Sequence, residues 1–288
     1  PLDAAKGIAL MATHGGKIQD YDAAVRGWEK VKPTIPPLIA IPTTAGTGSE
    51  MSAAAIITDT SRNVKMIVAS PFLKPRVAIL DPELTLAMPP SLTAATGMDA
   101  LTHAVEAYVA ADYHPFGDAL AIGAVELIGK SLRRAYANGQ DVAARTDMLL
   151  ASAMAGAAMG YKGLGASHAL AHQLTPEAGI PHGIANAILL PHVMRFNLPV
   201  AAAKFARVAA SLGADTHGKD QAQAAEMALE GVTRLCGDLG LPKTLTQAGA
   251  KRESIERMAQ NALHDRCRKN NPRPCIKADL VELLTQAF

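Results

Sequence analysis

The chain has 288 residues, 49% of them hydrophobic and 19% charged, which is enough for two domains and a substantial core. Its 28 basic and 26 acidic residues leave a net charge of +2 with no long basic run, and aromatics at 4% are too few for base-stacking platforms, so nothing points to nucleic acid. Gly, Pro or charge interrupts every apolar run before it is long enough to span a bilayer, which argues against a membrane protein.

The chain opens on Pro1-Leu2-Asp3, without the basic head and apolar block of a secretion signal. Leu2 to Met11 is helical in pattern and begins without a cap. Leu38 to Ile41 is a short apolar run ending at Pro42, the pattern of a buried strand. Ala53 to Thr58, Met66 to Ala69 and Val77 to Leu80 read as further strands between Ser, Asn, Pro and Asp turn signals. At Met88-Pro89-Pro90-Ser91 the character changes, and Ala, Leu and Met then recur at helical period almost to Phe288. Helix breaks are expected at residues 163–165, 175–181, 213–218, 240–242 and 270–274. The expected architecture is an α/β N-terminal part over residues 1–90 and an all-α C-terminal domain over 91–288. Cys236, Cys267 and Cys275 are odd in number and lack metal spacing, which fits a reduced, cytoplasmic setting.

Between the first strand and the next lies Pro42-Thr-Thr-Ala-Gly-Thr-Gly-Ser-Glu50. A strand entering a Gly/Thr/Ser loop and then a helix presents backbone N–H groups and hydroxyls that attract phosphate. The loop is neither the Rossmann fingerprint nor a Walker loop, and a capped turn packed through small residues explains it equally well.

Five residues carry most of the chemistry: Asp99 and His103, His168 and His172, and His182. Positions i and i+4 share a helix face, so each of the first two pairs aims two donors at one locus. Pro181 fixes the backbone just before His182. A carboxylate with imidazoles suits Fe(II), Zn(II) or a similar ion better than Mg or Ca, which prefer oxygen ligands. The alternative is a set of core histidines that merely hydrogen-bond; two spaced pairs plus Pro-His favour the metal. His192 reads as structural, and His14, His114, His217 and His264 lack partners at ligand spacing.

Together these segments resemble the iron-containing (group III) alcohol dehydrogenases, of dehydroquinate synthase-like architecture. The likeness is carried by Ile41 to Glu50, Met88 to Ala107, His168-Ala-Leu-Ala-His172, Pro181 to Met194 and Asn271-Pro-Arg273, and it spans essentially the whole chain. It implies reversible, NAD- or NADP-linked oxidation of a primary alcohol or diol to the aldehyde. The implied Fe2+ or Zn2+ ligands are Asp99, His103, His168 and His182, with His172 beside the nicotinamide moving a proton. Thr43, Thr44, Gly46 and Thr47 would line the cofactor cleft, Lys65 would approach the ribose, and Asp3 would belong to the cofactor-binding segment. A homodimer or higher homo-oligomer is implied too.

The same resemblance implies a gap. The family's Gly-Gly-Gly-Ser pyrophosphate stretch should precede Pro1-Leu-Asp-Ala-Ala-Lys6, and with it about 90 residues of βα units at about 30 each. A chain starting partway through its nucleotide-binding domain would expose an unpaired sheet edge and bind dinucleotide weakly. Met159 stands where relatives often carry an aromatic residue, and a looser substrate cleft is expected from its flexibility. Lys162 is either a solvated lysine or a contact for a carboxylate or phosphonate substrate. Three other readings compete: a related zinc polyol dehydrogenase or dehydroquinate synthase-type enzyme, an inactive fragment that keeps the metal-binding helices, and, more distantly, a metal hydrolase.

Overall fold

The computed structural model describes residues 1–62 and 64–288. Helix α1 (Leu2–Met11) falls on the expected residues. Strand β1 (Ile39–Ala40) pairs in parallel with β4 (Val77–Ala78). Strands β2 (Ala54–Asp59) and β3 (Val64–Ala69) form an antiparallel pair in which Ala54 faces Ala69 and Asp59 faces Val64. The burial expected of the first strand is not found: Ile39 is 64% exposed and Ile41 43% exposed. A two-stranded pair has too few neighbours to cover both faces, so an apolar run need not be a buried one.

From Pro90 onward the described residues form only helices, short 3-10 turns and connecting loops: α2 (Pro90–Val109), α3 (Pro115–Ala137), α4 (Val142–Lys162), α5 (Ala166–Ala178), α6 (His182–Ser211), α7 (Gln221–Asp238), α8 (Ile255–His264) and α9 (Lys277–Ala287). The breaks expected near 163, 213, 240 and 270 are all present, and Gly179 in the left-handed conformation (φ 69°) ends α5. Two further breaks, at residues 110–114 and 138–141, were not expected; Pro115 and the N-cap Asp141 start the helices that follow them.

Helix α2 is buried along most of its length because α3, α4 and α6 surround it. Its alanines let those neighbours approach closely, and their apolar faces join those of α7 in the main core. A second core lies among α5, α6, α8 and α9, and a third, small one holds Leu10, Tyr21, Ala55, Met66, Val68 and Leu73. Lys6 ties the N-terminal part together: its buried ammonium donates to Ser49 O (2.7 Å), Ala54 O (2.8 Å) and Ser52 O (3.0 Å).

The loop after β1 rests on α4 through two glycines. A Cβ on Gly156 would stand 2.6 Å from Gly48 Cα, and Gly48 itself has a φ of +59°. Gly156→Ala is expected to cost about 1–3 kcal/mol through overpacking and to displace this loop, read as a lowered midpoint in urea unfolding.

Candidate metal and cofactor site

Three helices build the site. Asp99, His103 and Glu106 project from one face of α2, at i, i+4 and i+7. His168 and His172 lie on α5, and His182 opens α6 with Asn186 one turn later. The start of α6 sits hard on α2, since a Cβ on Gly183 would fall 2.1 Å from Ala95 O. That contact sets His182 opposite Asp99.

Ligating atoms of Asp99, His168 and His182 lie within 4.8 Å of one another. His182 Nε2 is 3.5 Å and His168 Nε2 3.8 Å from Asp99 Oδ1. His103 lies outside that set of three but its ring stacks on His168 at 4.5 Å. Its Nδ1–H donates to Gly46 O (3.2 Å), which leaves Nε2 with the lone pair. His172 stands on the other side, its ring 5.3 Å from that of His182 and parallel to it within 12°.

The locus calls for a cation. Asn186 Nδ2 lies 2.8 Å from Asp99 Oδ1, 3.1 Å from His168 Nε2 and 3.2 Å from His182 Nε2. An amide has two N–H bonds and cannot serve three acceptors. Asn186 Oδ1 and His182 Nδ1 are moreover buried without partners. Burial opposes charge on Asp99, yet His103, His182 and His168 outweigh it and hold the carboxyl well below its usual range. Burial pushes His103 down to about 4 and His182 well below its ordinary value, with Asp99 opposing the shift in both. Burial also opposes charge on His168, but the carboxylates of Asp99, 3.8 Å away, and Glu106, hydrogen-bonded at 2.6 Å, hold it up to about 9. Two buried carboxylates thus demand positive charge here, and one carboxylate with three imidazoles fits Fe(II) or Zn(II).

Three residues of this arrangement were not anticipated. Glu106, 3% exposed, accepts from His168 Nδ1 (2.6 Å) and from Ser167 N (2.7 Å), so it orients the ring and caps α5 together. Asp265 accepts from His172 Nδ1 at 2.9 Å. Asn186 is the third. The helical phase of Glu106 with Asp99, and of Asn186 with His182, was a usable signal; nothing local marks Asp265.

The expected cofactor residues divide between two clefts. Asp3, Thr43, Thr44 and Thr47 line one of about 700 Å³. Asp3 is also committed to the fold, its carboxylate accepting from Ser49 Oγ (2.5 Å) and Ile56 N (3.0 Å). Lys65 lines a neighbouring cleft of about 770 Å³ with His172 and Asp265, and Ile56 borders both clefts. Gly46 serves the metal locus through its carbonyl. The helix expected after the loop is only a 3-10 turn, Ser49–Met51; the α-helix N-terminus that lines this cleft is that of α1, through Pro1, Leu2 and Asp3. Met159 lines a third, mostly apolar pocket of about 580 Å³ with Leu164 and Cys267.

Both readings of Lys162 are overturned. It is 1% exposed, its ammonium donating to Tyr108 O (3.2 Å) and paired with Asp118. It joins α4 to the C-terminal turn of α2, where free carbonyls favour a cation.

Two buried imidazoles and a half-buried one beside a buried carboxylate, on facing helices, make a set that could hold a divalent metal ion. The description "Fe-containing alcohol dehydrogenase family, C-terminal" matches residues 93–288, and "Iron-containing alcohol dehydrogenase" matches residues 1–82. The chain belongs to the iron-containing alcohol dehydrogenase family. It is 44% identical over 288 residues to 1,3-propanediol dehydrogenase of Citrobacter freundii, covering 100% of this chain and 73% of that protein. It is 44% identical to the NAD-dependent methanol dehydrogenase of Bacillus methanolicus, over 99% of this chain and 74% of that one. The crystal structure of a 1,3-propanediol oxidoreductase superposes with a TM-score of 0.96 at 43% identity, covering 100% of this chain and 74% of the other. No described helix is long and apolar enough to cross a membrane.

Proposed function

We propose that this chain catalyses the reversible, NAD(P)-linked oxidation of a primary alcohol or diol to the aldehyde at an iron centre held by Asp99, His103, His168 and His182. The convergence of Asp99, His168 and His182 on one under-satisfied locus, with His103 stacked alongside, carries the reading. The named relatives support the substrate class: one acts on 1,3-propanediol, another on methanol with NAD. In this reading residues 1–90 serve the dinucleotide and residues 91–288 hold the metal.

When bound, iron supplies Lewis acidity at the alcohol oxygen and the nicotinamide accepts the hydride. The chain's own residues do the rest. Glu106 fixes His168, and Gly46 O fixes His103, so that each ring turns Nε2 to the locus. Asp265 holds Nδ1–H of His172, leaving Nε2 of that ring to accept the hydroxyl proton and pass it outward.

The test is reduced-nicotinamide absorbance, anaerobically, with iron, NAD or NADP and a panel of short alcohols and diols. Turnover with primary alcohols that is lost on chelation is expected. A folded, iron-loaded protein with no turnover on any of them would overturn the proposal.

A further inference from the structure

Cys267 lies two residues beyond Asp265, and its sequence spacing gives no hint of a metal. In the fold, however, the ligating atoms of His172, Asp265 and Cys267 lie within 4.8 Å of one another. The His172 and Asp265 side chains are 14% and 12% exposed and open into the cleft of about 770 Å³ that Lys65 also lines. Cys267 is half-buried and borders the apolar pocket beside it. We propose that His172, Asp265 and Cys267 form a second metal site, selective for thiophilic divalent ions such as zinc or cadmium, whose occupation inhibits the enzyme.

The donor set decides the class of ion. One thiolate, one imidazole nitrogen and one carboxylate oxygen with a fourth position open to the cleft is a set that zinc takes readily and that magnesium or calcium does not. The centre formed by Asp99, His103, His168 and His182 contains no sulfur, so the two sites differ in hardness. Burial, followed by the charge of Asp265, holds the Cys267 thiol well above its ordinary range. Soft monofunctional reagents therefore meet a protonated thiol, whereas a coordinated metal deprotonates it outright.

The proton balance explains the inhibition. In the ion-free protein His172 Nδ1–H donates to Asp265 Oδ2 at 2.9 Å, and Nε2 carries the lone pair. A metal bound at Nδ1 releases the thiol proton to solvent and shifts the imidazole hydrogen from Nδ1 to Nε2. His172 then has no lone pair with which to accept the substrate's hydroxyl proton. This last consequence rests on the proton-transfer role proposed above; the metal site does not.

Cadmium is the probe, because cadmium–thiolate coordination has a charge-transfer band in the ultraviolet. Titrated into the iron-loaded protein, it is expected to produce that band, saturating at a single equivalent while iron stays bound. Cys267→Ser is expected to lose the band; Asp99→Asn, which alters a ligand of the other site only, is expected to keep it. His172→Ala retains the sulfur and is expected to need more cadmium for the same band. Absence of a band in the unaltered chain, or an undiminished band in Cys267→Ser, would overturn the proposal. The band needs no turnover, so failure of the dehydrogenase reading would leave this test intact.

Discussion

Glu106→Gln is expected to weaken metal binding about 10–100-fold, the usual cost of losing a carboxylate behind a ligating histidine. The reason lies in what Glu106 does at once. One oxygen accepts from Ser167 N at the start of α5, and the other accepts from His168 Nδ1. A glutamine has one acceptor oxygen and an NH₂ group, so one of these two donors must face another donor. Either α5 loses its cap or His168 loses the bond that turns Nε2 to the locus. Glu106→Leu goes further, stranding a buried imidazole and the α5 N–H group together, and should cost about 3–5 kcal/mol of stability, as removal of one partner of a buried pair does. Metal titration by calorimetry checks the first value and urea unfolding the second. An unchanged affinity in Glu106→Gln would mean that His168 is oriented by packing alone.

How much of this was visible beforehand follows the range of each interaction. Helix α1 and the start of the helical part near Ser91 were legible because periodicity and proline act locally. Asp99 with His103, and His168 with His172, were legible for the same reason: i and i+4 spacing is a property of one helix. Their assembly with His182 required α2, α5 and α6 to face one another, which spacing alone does not dictate. Asp265 lies 93 residues from His172, and no local pattern links them. Lys162 shows the same limit from the other side. A lysine near a helix end is ordinarily solvated, and it takes the distant partners Asp118 and Tyr108 O to make its burial tolerable. The exposed Ile39 marks a different gap, since an apolar run predicts a strand but not what covers it.

His172→Phe is expected to lower kcat about 10²–10⁴-fold, the contribution typical of a positioned proton acceptor, while iron content stays unchanged. The two halves of this result separate two roles that the sequence alone leaves mixed, because His172 repeats the ligand spacing of His168. The proposed assignment puts His172 outside the metal set and His103 inside it; neither belongs to the mutually close donors Asp99, His168 and His182, so the variant decides between them. Phenylalanine keeps the parallel packing on His182, so the loss reports the lost nitrogen rather than a collapsed wall. Asp265→Asn should act in the same direction but less strongly. Its amide can be turned to offer His172 an oxygen, while the charge that stabilises the protonated ring is gone. Loss of iron from His172→Phe, measured by metal analysis on the folded variant, would instead place His172 among the ligands and overturn the assignment of His103.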